Sequence, residues 1–203
     1  APVFLENIQG NKQVNLSNLI LDKQFLVGRG ELLVGAITEL TLKLGTDHYV
    51  VIDGERIPLV LENSEAQNPS LTVNYPLDPG ISYDIFIDFE VFRSITASPN
   101  AAGGFVLKPK LRSFSRADTG EIAGSILPLR ENAVVYAIQG NDTVSSTAIE
   151  LTTGKFKLRG ILGNHTVSII PFNSAFQSET ITNVNVESRK ITQINAITLR
   201  PKP

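Results

Sequence analysis

Apolar and polar residues alternate along much of this chain, and that period of two predicts strands whose side chains point to opposite faces. Leu40, Leu42 and Leu44 alternate with Thr41 and Lys43. Tyr49-Val50-Val51-Ile52 and Ile57-Pro58-Leu59-Val60-Leu61 flank Asp53-Gly54. An Asp-Gly pair between such runs predicts a hairpin, because a type I′ turn needs positive φ at both central residues. The polar stretch 62–70 reads as a loop, and Leu71, Val73 and Tyr75 then alternate again. Asp78-Pro79-Gly80 predicts a turn. Beyond it, Tyr83, Ile85, Ile87 and Phe89 form one strand face, with Asp84, Phe86 and Asp88 on the other. Residues 98–104 read as a loop, and 105–111 as a strand that Pro109 interrupts or confines to an edge.

A boundary is expected at 113–119, after which the rhythm restarts at 121–127, 133–139, 155–158, 165–170, 179–186 and 192–199. Short strands separated by turn residues at this spacing predict an antiparallel sandwich. One stretch favours a helix: Leu16, Leu19, Ile20 and residues 23–26 have helical spacing, with Ser17 as the expected cap. The expected fold class is therefore all-β. Two antiparallel β-sandwich domains, immunoglobulin-like or transthyretin-like, are expected at 1–115 and 116–203, with one short helix in the first.

Composition sharpens this picture. The chain has 203 residues, including 20 Ile, 16 Val and 15 Thr, about a quarter of the total. These β-branched side chains pack well on a pleated surface. There is no cysteine, so disulfides, thiolate metal sites and cysteine nucleophiles are excluded. Two separated histidines, His48 and His165, leave little for a histidine-based metal site. No cofactor or metal is expected. Net charge is −4 over 1–115 and +2 over 116–203, so neither half carries a nucleic-acid footprint. No run reaches the length of a membrane-spanning helix. The chain starts at Ala1 and contains no methionine, which predicts a processed product, with a secretory signal or a boundary upstream.

Several of these motifs, in this order, resemble a known family. Leu40-Thr41-Leu42-Lys43-Leu44-Gly45, then 49–54 and Ile57-Pro58-Leu59, are followed by 80–89, Arg93-Ser94-Ile95 and 105–112. Over about residues 14–113 the run resembles the DUF4382 family of bacterial, often lipid-anchored, secreted proteins, with the family's N-terminal strands shortened. Residues 119–199 resemble a carboxypeptidase-regulatory-like module, a transthyretin-like sandwich. The matching stretches are 120–126, 133–137, 154–160 and 163–169. Gly163-Asn164-His165 replaces that module's Gly-x-Tyr, which gives His165 a packing or hydrogen-bonding role. Neither resemblance implies a catalytic set. Both imply an extracytoplasmic, surface-associated accessory or binding protein.

Asp84, Asp88 and Glu90 share one strand face, with Arg93 just beyond. Glycosidases place two carboxylates ~5–9.5 Å apart across a cleft. Asp88 and Glu90 would have Cα atoms ~6.5–7 Å apart, but on one strand and pointing the same way. Asp88, Glu90 and Arg93 are thus expected to form a structural ion pair. A Ca²⁺ site lacks an oxygen-rich loop. Asp47-His48 has no serine-nucleophile motif to complete a triad. Lys108, Lys110 and Arg112 alternate on one face, either as an anion-binding stripe or, as favoured, as charges that discourage edge pairing. Phe105, Phe114, Tyr136, Phe172 and Phe176 are core or sugar-stacking aromatics. Phe172 and Phe176 lie in a loop-like stretch and are the best candidate binding residues.

The expected function is a non-enzymatic secreted or lipid-anchored cell-surface protein that binds a surface glycan or a protein partner, or takes part in assembly. Its expected membrane association runs only through a lipid anchor outside this chain, and no nucleic-acid partner is expected. Two alternatives remain. One is a fimbrial or adhesin-type subunit that accepts a donated strand. The other is an accessory part of a glycan-processing hydrolase system.

Overall fold

The computed structural model describes residues 2–7, 10 and 12–203. Ala1, on which the expectation of a processed start rests, lies outside the described residues. The fold is all-β with several sheets. The chain divides into two compact units. The first is Ala1–Val14, Phe25–Tyr83 and Ile87–Ser113; the second is Asn15–Gln24, Asp84–Phe86 and Phe114–Pro203.

In chain order, the first strands are β1 (Gly35–Thr41), β2 (Tyr49–Ile52), β3 (Glu55–Pro58), β4 (Val60–Leu61) and β5 (Ser70–Leu77). They are followed by β6 (Phe86–Phe89), β7 (Ile95–Ala97), β8 (Phe105–Leu107) and β9 (Leu111–Phe114). A single helical turn, α1 (Val91–Ser94), separates β6 from β7. β2 and β3 form the expected hairpin. Asp53 at φ 51° and Gly54 at φ 83° supply the two positive φ values of its turn. β1 pairs antiparallel with β5, with a register shift between Ile37 and Glu39. The alternation of β5 is clean: Leu71, Val73, Tyr75 and Leu77 are half-buried and their neighbours exposed. β4, β8 and β7 make a three-stranded sheet in which β4 runs parallel to β8. β6 and β9 form a further pair.

Some expectations fail locally. The strand expected from Tyr83 begins only at Phe86. Pro109 does break its strand: residues 108–110 separate β8 from β9, and the Lys110 N–H donates to Ser94 Oγ instead of to a ladder. The helix expected at 16–26 is one 3-10 turn, Leu16–Asn18, capped by the Asn15 side chain rather than by Ser17. Leu21 follows at φ 57°, a conformation that ends a helix.

The second unit holds β10 (Gly120–Leu127), β11 (Ala133–Gln139), β12 (Asp142–Ala148), β13 (Lys155–Ile161), β14 (Gly163–Pro171), β15 (Glu179–Val186), β16 (Ile191–Gln193) and β17 (Ile197–Thr198). One sheet has the order β13-β10-β16, with β17 also on β10; the other has β12-β11-β14-β15. Inward residues of both sheets make one apolar cluster that includes Ile122, Ile126, Val135, Phe156, Leu158, Val167, Ile169 and Leu199. Two pairings depart from the antiparallel expectation. β16 and β17 run parallel to β10, because the chain crosses from one sheet to the other after β15. β12 was not expected at all; its Ser/Thr-rich run has no apolar alternation, and its place comes from pairing with β11.

Candidate functional site

The acidic strand end of the first unit forms a compact ion-pair knot. β6 presents Asp88, the residue after it is Glu90, α1 adds Arg93, and β9 brings in Arg112. Glu90 is 3% exposed. Its Oε2 accepts from Arg93 Nη1 at 2.5 Å, and its Oε1 lies 3.7 Å from Arg112 Nε. Arg112 Nη2 donates to Asp88 Oδ2 at 2.5 Å. Ser94, fully buried, donates to the Glu90 carbonyl and accepts from Lys110 N–H, so the backbone around the knot is fixed. Two carboxylates face two guanidiniums here. Charge-assisted bonds of this kind position chain segments, and they leave no carboxylate aimed across a cleft. Asp84 lies before β6 and is exposed, away from the strand face assigned to it.

Arg112 is the member that sequence reasoning misplaced. A stripe of Lys108, Lys110 and Arg112 on one face needs an unbroken strand. The break at 108–110 turns Arg112 toward Asp88, while Lys108 pairs with Glu62 at 2.6 Å. Residues 62, 63, 65, 66, 68–70 and 108–110 line an open groove of about 280 Å³. Its walls carry Glu62, Glu65, Lys108 and Lys110, charges of both signs.

The Asp47 carboxylate is engaged by residues other than His48. The Asp47 carboxylate accepts from Arg56 Nη2 at 2.5 and 2.6 Å and from Gln13 Nε2. The hydrogen bond from Arg56 holds Asp47 below the usual carboxylate range. Arg56 also lies 3.9 Å above the Tyr49 ring. His48 Nε2 has no hydrogen-bond partner.

In the second unit the aromatic candidates separate. Phe172 is 56% exposed, whereas Phe176 packs against the apolar cluster and bridges to Pro201. They do not share a stacking platform. Phe114 is buried, its ring stacked on Phe86 at 5.2 Å. His165 is buried in β14, and burial pushes its imidazole below the ordinary range. A charged network that the sequence did not reveal spans residues far apart in the chain. Asp22 accepts from Lys157 at 2.7 and 2.8 Å, and Lys157 lies 3.4 Å from Glu121. Arg116 is 3.8 Å from Asp22 and 3.7 Å from Glu121. Hydrogen bonding to Lys157 lowers the Asp22 pKa.

Among the described residues no group of three or more His, Asp or Glu side chains is placed to hold a metal. No described helix is long and apolar enough to cross a membrane. The model of one protein family, a domain of unknown function (DUF4382), matches residues 3–109. The chain belongs to the DUF4382 family. The match takes in the hairpin, the β1–β5 pair, the groove except Lys110, and Asp88, Glu90 and Arg93 of the knot; it stops short of Arg112. No curated protein matches the chain.

A contrast in packing separates the DUF4382 region from the rest. Within residues 3–109, the buried apolar side chains among the described residues are Ala66 and Leu107. The same region exposes Phe4 (72%), Leu33 (92%), Val34, Val51 (58%) and Ile81. Scattered exposed apolar residues are ordinary on a protein surface. Among the described residues of this region, more large apolar side chains are exposed than buried.

Proposed function

We propose that the chain is a non-enzymatic, extracytoplasmic protein, secreted or lipid-anchored at the cell surface, and that its DUF4382 region binds a surface glycan or a protein partner. The observation that carries this reading is the apolar exposure of that region, set against the closed core of the second unit. The neutralised ion-pair knot and the occupied Asp47 carboxylate support a non-catalytic role. The second unit is read as a carboxypeptidase-regulatory-like module, which its two facing sheets around one core support.

A second reading, a subunit that accepts a donated strand, is favoured by the two-stranded sheets β1–β5 and β2–β3. A sheet of two strands leaves outer backbone N–H and C=O groups outside any ladder, and strand addition uses such groups. The experiment pairs a glycan array with sedimentation of the purified chain over a range of concentrations. Glycan capture by a monomer supports the first reading, and ordered polymers support the second. A chain that cleaves the arrayed glycans contradicts both, as does one that fractionates with the cytosol of the cells that make it.

A further inference from the structure

His165 takes no part in the reading above, yet its setting is unusual. It stands in β14 between Gly163, at φ 88°, and a register shift at His165/Val167 on the β15 side. It is 3% exposed, and Val184 of β15 lies opposite. No hydrogen bond of ordinary geometry reaches Nδ1 or Nε2, and the Leu162 backbone favours the charged ring only weakly against burial. The Leu162 carbonyl already accepts from Gln139 Nε2 at 3.4 Å.

The charged groups of the surrounding strands are committed elsewhere or face away. β11 contains no charged residue, and neither do β16 and β17. On β15 the one charge is Glu179, opposite Ile169 and hydrogen-bonded to Arg200 at 2.8 and 2.9 Å. Lys155, Lys157 and Arg159 of β13 alternate with the buried Phe156 and Leu158, which point inward. Glu121 of β10 is held by Lys157 and Arg116. Asp142 of β12 is exposed at the β11–β12 turn, opposite Gln139. An imidazolium at this position would therefore be a buried cation without a counter-charge, which is costly.

We propose that His165 makes the second unit acid-sensitive: protonating its ring opens the β14–β15 pairing around it before the rest of the unit unfolds. Burial already disfavours the charged ring, and the Leu162 carbonyl opposes this only in part. The neutral ring is tolerated in the core, so the folded state binds fewer protons than the unfolded chain between the lowered value and 6.5. Stability is full above 6.5 and falls as pH drops through that window. The opening is local because the register shift is the weak point of the β14–β15 ladder.

The test is amide hydrogen exchange on the intact chain at about pH 7 and about pH 5, corrected for intrinsic chemistry. Amides of β14 and β15 should exchange ~10-fold faster at the lower pH relative to those of β10 and β13. His165→Phe should abolish this difference, and His48→Gln should retain it. Equal acceleration in His165→Phe would overturn the proposal. A ring-proton titration of wild-type His165 is independent of how any variant folds: a value below 6.5 supports the proposal, and one at or above it overturns it.

Discussion

At the scale of single residues, Gly160 and Phe114 illustrate how tightly the second unit is packed. Gly160 sits at φ 68°, and a Cβ there would overlap the Phe114 ring. Gly160→Ala should therefore cost about 2–4 kcal/mol, from left-handed strain and overpacking together, measured by urea unfolding. Glu90 sets a different kind of limit. Its carboxylate is buried against Arg93 and Arg112, so Glu90→Gln should cost about 1–3 kcal/mol, less than for a fully buried pair because Arg93 is half in solvent. Lys190→Gln, in the exposed pair with Glu187, should leave the urea midpoint unchanged. Acid acts on a separate set of carboxylates. Asp22, Asp47 and Glu179 are held below their ordinary values by Lys157, Arg56 and Arg200 respectively. Their contributions are present above the unfolded values of 3.8 for Asp and 4.5 for Glu, and are lost as pH falls through the lowered folded ones. An acid titration of the urea midpoint should drop in that range, and Asp22→Asn should flatten part of the drop.

At the scale of elements, the strands that a sequence displays most openly are those whose alternation matches one buried face. β10 alternates buried and partly exposed residues along most of its length, while β15 alternates half-buried with exposed residues at its start and buried with exposed residues at its end. The Asp53-Gly54 turn was legible for the same local reason: its backbone demand is written in its residue types. β12 was not legible, since Asp142-Thr-Val-Ser-Ser-Thr-Ala owes its strand to β11 and not to its own pattern. The knot was half legible. Asp88, Glu90 and Arg93 are neighbours in the chain, but the arrival of Arg112 depends on the break at Pro109, a non-local event. The network around Lys157 joins positions 135 apart, which no local pattern reveals. That network ties the segment 15–24 to the second unit. Lys157→Met should loosen the segment and speed tryptic cleavage after Lys23, read by mass spectrometry on the intact chain. Cleavage at the wild-type rate would show that Leu16, Leu19 and Ile20, all half-buried, hold the segment without the charges.

At the scale of the whole molecule, the two units differ in how they use apolar residues. The second closes them into one core between two sheets. The DUF4382 region leaves many of them facing water. That exposure is the centre of the account, and site-specific photo-crosslinking in the cells that make the protein tests it most directly. A photoreactive residue would replace Leu33 or Val51 in the DUF4382 region, or the half-exposed Leu162 in the second unit. The account predicts a discrete envelope adduct from Leu33 and Val51 and none from Leu162. No adduct at Leu33 or Val51, or the same adducts from all three positions, would contradict it.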